Sequence, residues 1–160
     1  MSTPLSWIGD ERIAVGGLPT ALSLPALIGA DITHVVNCRA RAQTWFSQDL
    51  AVERAIFGRS HVMAAPMWDD GRPQPPARWS AAARFAAEAL DSEPDAKVFI
   101  HCHQGRRRSV LLAYAVLRLR GHEPDDAVRL IVDHRLEAEV VPAYQESVEQ
   151  WLRRGATPGR

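Results

Sequence analysis

A chain of 160 residues has the size of one domain and can bury a core without disulfide or metal staples. Its hydrophobic fraction of 46% and charged fraction of 24% are those of a soluble globular protein and exclude disorder, collagen and a disulfide scaffold. Nineteen Lys plus Arg against nineteen Asp plus Glu give net charge zero, so total charge does not point to nucleic acid or a membrane surface, and any anion site must be local.

The start reads as a hairpin, Leu5 to Ile8 and Arg12 to Val15 turned at Gly9-Asp10. Ser23 can cap a short helix with Pro25 in its first turn and Gly29 as its stop. The β-branched run Ile32 to Val36 predicts a buried strand ending at Asn37-Cys38, followed by a polar loop with Arg39 and Arg41. Ser47 opens a helix through Phe57 that Gly58 ends, and His61 to Ala65 is the next extended run. Prolines 66, 73, 75 and 76 with Gly71 make a stiffened loop that carries Trp68, Asp69, Asp70 and Arg72. Such loops concentrate function.

Ala77 to Leu90 reads as a helix, and Val98-Phe99-Ile100 as a central parallel strand. Ser109 to Arg120 is helical and stops at Gly121. Pro124 opens a helix with Asp125 and Asp126 in its first turn and Arg129 and Arg135 later. Pro142 opens the last helix, with Tyr144, Val148, Trp151 and Leu152 on its apolar side. Tryptophans 7, 45, 79 and 151 are expected in the core or half-buried. Strands separated by helices predict an α/β fold: a single central mixed, mostly parallel sheet of four or five strands flanked by helices, one domain over 1–160.

Cys38 and Cys102 cannot make a disulfide framework. The start has no basic or long apolar segment and an early Pro4, so no export signal is read. The longest apolar run, Val110 to Leu117, is far short of the roughly 20 residues of a membrane span. A reducing cytoplasm is the expected compartment. The Arg and Ala bias, with Lys97 the only lysine, suggests a GC-rich bacterial genome.

The informative segment is Ile100-His101-Cys102-His103-Gln104-Gly105-Arg106-Arg107-Arg108-Ser109, a loop between a buried strand and a helix. Such a loop exposes backbone N–H groups at the positive end of a helix, where anions bind. The same field lowers a cysteine from roughly 8.5 into a range of about 3.5 to 7.5, making Cys102 a candidate nucleophile. Arg108 can hold two oxygens of a tetrahedral oxyanion in a bidentate fork, and those contacts strengthen as the transferring phosphoryl group spreads its charge. Gly105 permits a φ > 0 turn. Ser109 can donate a hydrogen bond that makes sulfur a better leaving group. His103, Gln104, Gly105, Arg106 and Arg107 complete the binding loop.

His101-Cys102-x-x-Gly105-x-x-Arg108-Ser109 resembles the signature of the cysteine-based protein tyrosine phosphatases. The short chain and the spacing to an upstream Asp loop resemble the dual-specificity branch. More weakly, Ile13 to Leu18 with Ile32 to Asn37 is similar to the family's opening strands, and Pro142-Ala143-Tyr144 into Trp151 to its closing helix. Two departures stand out: the closing helix lacks the usual initial Asn, and Arg106 and Arg107 make the loop unusually basic.

Expelling an alkoxide or phenoxide from phosphorus calls for a carboxylic acid on a facing loop. Asp69 and Asp70 lie 33 and 32 residues before Cys102. The resemblance favours Asp69, which stands three residues after Pro66 and four before Pro73, while spacing alone leaves Asp70 open. The resemblance implies phosphate-monoester hydrolysis through a phosphocysteine intermediate, with no metal or cofactor, on phosphotyrosine and phosphoserine/threonine of proteins. Inorganic phosphate, sulfate or vanadate would bind in the loop, and no nucleic acid is expected as a partner.

The alternatives are a phosphoinositide or nucleotide-end phosphatase, motivated by Arg106 and Arg107, a non-catalytic phosphate-binding module, and a sulfurtransferase. His101 is read as a support for the loop rather than an acid or base. Cys38 is read as a small core residue, with a reversible disulfide to Cys102 as its functional alternative. Arg39, Arg41 and Arg72 are read as solvated surface arginines, and Trp68 as either a packing residue or a substrate platform.

Overall fold

The computed structural model describes residues 5–155, so Pro4 and both ends of the predicted 1–160 domain lie outside the described residues. Five strands form one sheet in the order β1-β2-β5-β3-β4: β1 (Leu5–Trp7), β2 (Ile13–Gly16), β3 (His34–Asn37), β4 (Val62–Ala64) and β5 (Val98–His101). Strand β1 pairs antiparallel with β2 across the Gly9 turn, and β2, β5, β3 and β4 run parallel. Every residue of β2, β3 and β5 is buried, which is why these segments read as continuous apolar runs rather than alternating ones.

The side chains nevertheless divide by the two-residue period of a strand. Ile13, Val15, Val36, Val98 and Ile100 face one core, while Ala14, Val35, Val62 and Phe99 face the other. The first is covered by α4 (Ser80–Ser92), α5 (Arg108–Leu119), α6 (Pro124–His134) and α7 (Pro142–Arg153). The second is covered by α1 (Leu24–Gly29) and α3 (Asp49–Phe57). Helix α2 (Arg41–Ser47) buries none of its residues.

Parallel β2, β5, β3 and β4 all end at the same edge. The chain therefore delivers Gly17, Cys102, Cys38 and Ala65 side by side. Open α/β sheets place their binding crevices at this edge.

Several local expectations are corrected. Ser23 precedes α1 without a side-chain cap bond; its Oγ accepts the Thr20 N–H at 2.7 Å. The polar loop expected after Cys38 is short, because Arg41 opens α2, and Ser47 closes that helix rather than opening the next. Gln48, at φ 58°, forms the joint. Helix α4 starts at Ser80, after a 3-10 turn over Pro76–Arg78. Trp45 is 71% exposed, stacked edge-on against Phe46, because α2 has nothing packed on that side. Arg39 is 7% exposed, drawn in by a 3.0 Å ion pair with Asp49.

Candidate active site

The loop between β5 and α5 closes on itself. Gly105 has φ 69°, and a Cβ there would lie 2.4 Å from the Gly16 carbonyl carbon and 2.6 Å from Arg135. Only glycine lets the loop press this closely onto β2. The outer side of the loop is tied down by the Leu18 N–H, which donates to the His103 carbonyl at 2.8 Å. Arg135, the residue just after α6, donates to the Gly105 carbonyl at 2.6 Å and to the Gln104 carbonyl at 3.3 Å. With these carbonyls held outward, the Gly105 N–H points inward to the Cys102 sulfur at 3.2 Å.

Cys102 is 3% exposed. Burial pushes its thiol up, but the Ser109 hydroxyl and N–H, the Arg108 charge and the Gly105 N–H outweigh it. The result is a drop from the ordinary 9.0 to about 7. The Ser109 Oγ lies 3.3 Å from the sulfur. About half of the sulfur is therefore thiolate at pH 7.

Arg108 is buried at the start of α5 and donates from Nη1 to the Met67 carbonyl at 2.8 Å and to Gln43 Oε1 at 2.9 Å. Its Nε–H has no partner, an arrangement that costs roughly 1–3 kcal/mol for a buried donor and that an oxyanion can relieve. Gln43, Asp69, Cys102, His103, Gln104, Arg106, Arg107 and Arg108 line one open cavity of about 250 Å³.

The two candidate acids part company. Asp69 faces this cavity, and its Oδ1 accepts the Tyr144 hydroxyl at 2.7 Å and pairs with Arg107 at 3.4 Å. Tyr144 in turn accepts the Gly71 N–H at 3.0 Å, so α7 holds the acid loop in place. Asp70 is exposed and instead accepts from the Arg72 N–H and Gln74 Nε2 within its own loop.

No family model matches the chain, and no curated protein matches it in sequence. Solved structures do. PTPMT1 aligns with TM-score 0.76 and 20% identity over 94% of each chain. Human DUSP28 aligns with TM-score 0.73 and 18% identity over 98% of each. A mouse protein described as a dual specificity phosphatase, complexed with zinc tungstate, aligns with TM-score 0.73 and 17% identity over 100% of this chain and 96% of that one. The chain has the dual-specificity phosphatase fold.

Within the dual-specificity phosphatase fold of this chain, a buried polar network supports the loop from below. His101 bonds the Cys102 carbonyl through Nδ1 at 3.0 Å and Glu53 through Nε2 at 2.5 Å. Burial pushes the imidazole down, but the Glu53 carboxylate more than offsets it and raises the pKa above 6.5. The cation so favoured lies directly beneath the loop. Glu53 also accepts from Asn37 Nδ2 at 3.0 Å, and the same nitrogen donates to Asp49 at 2.9 Å. Asp49 further takes the Ser47 hydroxyl and the Arg39 guanidinium. Ligand atoms of Asp49, Glu53 and His101 lie within 4.8 Å of one another, but these protein donors already occupy them.

Glu53, Gln43, Tyr144 and Arg135 are the residues that sequence reasoning missed. Glu53 is 2% exposed, and no local signal in the sequence marks it. Arg107 lines the cavity and also pairs with Asp69 and Glu139 and lies over the Tyr144 ring. Arg106 remains exposed on the cavity wall. Cys38 is fully buried and free, and burial followed by the nearby Cys102 keeps its thiol well above 9.0. Among the described residues no helix is long and apolar enough to cross a membrane.

Proposed function

We propose that this protein, as one domain, is a cysteine-dependent phosphatase that hydrolyses phosphate monoesters through a phosphocysteine intermediate. The observation that carries the reading is a buried thiol with pKa about 7 that shares one cavity with Arg108 and Asp69. Arg108 and the loop N–H groups hold the phosphoryl oxygens. The Cys102 thiolate attacks phosphorus, forming the S–P bond as the P–O bond to the leaving group breaks. Asp69 gives that oxygen its proton. Water then attacks phosphorus, Asp69 takes up its proton, and sulfur leaves as thiolate stabilised by the Ser109 hydroxyl.

Phosphotyrosine and phosphoserine/threonine of proteins are the substrates that the loop signature supports. A phosphoinositide is the second reading, favoured by exposed Arg106 at the cavity wall and by PTPMT1, which is also solved in complex with PI(5)P. The deciding experiment is turnover of para-nitrophenyl phosphate by the wild type and by Cys102→Ser. The variant is expected to lose turnover entirely while still binding vanadate. Turnover that survives in Cys102→Ser refutes the assignment.

A further inference from the structure

A second cavity opens on the other side of the acid loop. Its volume is about 380 Å³, and Arg39, Arg41, Arg54 and Arg78 line it around Pro66 and Ala77. A hollow of about 400 Å³ adjoins it, shares Arg41, Arg78, Pro66 and Ala77, and is faced by Trp68. No carboxylate lines either one. In a chain of net charge zero, Arg41, Arg54 and Arg78, gathered without an acid in the wall, form a local positive field, while the charge of Arg39 is met by Asp49.

The arginines are not already satisfied. Arg41, Arg54 and Arg78 make no side-chain hydrogen bond or ion pair among the described residues. Arg39 pairs with Asp49, yet it is 7% exposed and its Nε–H has no partner. Like charges gathered this way repel one another, and a multiply charged anion placed among them reverses the sign of that energy. Planar guanidinium forks match phosphate oxygens better than any other protein cation.

The linings lie close along the chain. Arg41 lines the second cavity and Gln43, on the same short helix, lines the first; Trp68 faces the adjoining hollow and Asp69, the next residue, faces the first cavity. The Cα atoms of Arg41 and Gln43 are at most about 7 Å apart, so the two linings start from neighbouring backbone.

We propose that this cavity is a second phosphate subsite, and that the substrate is a small molecule or headgroup with at least two phosphate groups. One is presented to Cys102 and another is held by Arg41, Arg54 and Arg78. This rests on the phosphatase reading for the first site. The short chain separation of the two linings favours a compact polyphosphorylated polyol over a protein segment with two phosphorylated residues.

The test compares the wild type with Arg54→Gln/Arg78→Gln, whose changed residues lie outside the Cys102 cavity. Calorimetry with inorganic phosphate is expected to count two sites in the wild type and one in the variant. Turnover of para-nitrophenyl phosphate, with its single phosphate, should stay within about twofold, while KM for a soluble inositol polyphosphate rises at least about tenfold with kcat retained. The same headgroup on phosphatidylcholine vesicles forms a parallel arm. A KM effect confined to vesicles assigns the phosphates to a lipid headgroup, and an effect on the soluble compound assigns them to a free one. An effect seen only with a doubly phosphorylated peptide overturns the compact substrate class. One phosphate site in both proteins with unchanged KM overturns the subsite. If the wild type hydrolyses nothing while the stoichiometry still drops from two to one, the phosphatase reading fails and the anion site stands.

Discussion

Replacing Ser109 by alanine removes the largest of the interactions that hold the Cys102 thiol down. The hydroxyl sits 3.3 Å from sulfur, while the backbone N–H of residue 109, the Arg108 charge and the Gly105 N–H stay in place. A hydrogen bond to a charged group contributes about 1.5–3 kcal/mol, and one pKa unit corresponds to about 1.36 kcal/mol. The midpoint should therefore rise by about one to two units, from about 7 to roughly 8–9. At pH 7 the thiolate fraction falls from about one half to between roughly one-tenth and one-hundredth.

Iodoacetamide alkylation of Cys102 as a function of pH reads this directly, because it needs no substrate and no second chemical step. Cys102→Ser supplies the blank for Cys38. In parallel, the acidic limb of kcat/KM for para-nitrophenyl phosphate should move by the same amount, since it reports the free enzyme. A midpoint that stays within about 0.3 units of the wild type, against the one to two expected from the lost bond, would refute the account of how the thiolate is stabilised.

Asp69→Ala should lower kcat by about 10²–10⁴, the range for loss of a general acid, whereas Asp70→Ala should change it less than about threefold; equal effects in steady-state assays would contradict the cavity assignment. Glu53→Gln should remove the charge that holds His101 cationic. The folded imidazole is raised above 6.5, so this pair contributes stability that is fully present below 6.5 and lost as pH rises through the raised folded value. The wild type should therefore exceed the variant in urea stability by most near pH 6, by about 3 kcal/mol given the cost of breaking a buried pair, and the gap should narrow towards pH 9. A gap independent of pH would show that His101 is neutral. Gly105→Ala forces a β-carbon to within 2.4 Å of the Gly16 backbone; with strain of about 2 kcal/mol or more, melting should drop by about 4–8 °C and phosphate binding should be lost, both read by thermal melts with and without phosphate.

What the chain carries locally was legible. The loop is built from contiguous residues, so the identities and spacing of Cys102, Gly105, Arg108 and Ser109 already pointed to a closed loop, and the structure brings the Ser109 hydroxyl and the Gly105 N–H onto the Cys102 sulfur. The buried strands announced themselves as apolar runs, and a parallel sheet with interleaved helices followed. Where sequence reasoning failed, a face was missing or a partner was distant. Helix α2 buries nothing, so no periodic signal marks it, and Trp45 suggested a core position although no neighbour covers it. Arg39 looked solvated because its partner Asp49 belongs to another element.

Spacing alone could not choose between Asp69 and Asp70, and only the resemblance favoured Asp69, since adjacent carboxylates differ in which way the folded loop turns them. Tyr144, 75 residues from Asp69, supplies the hydroxyl that meets one and not the other. Glu53 lies 48 residues from His101, and Gln43 lies 65 from Arg108. These pairings exist only because four parallel strands end at one edge and bring their following loops together. Residue type and spacing set the chemistry available to the loop; the registry of β2, β5, β3 and β4 decided which distant side chains would hold it in working shape.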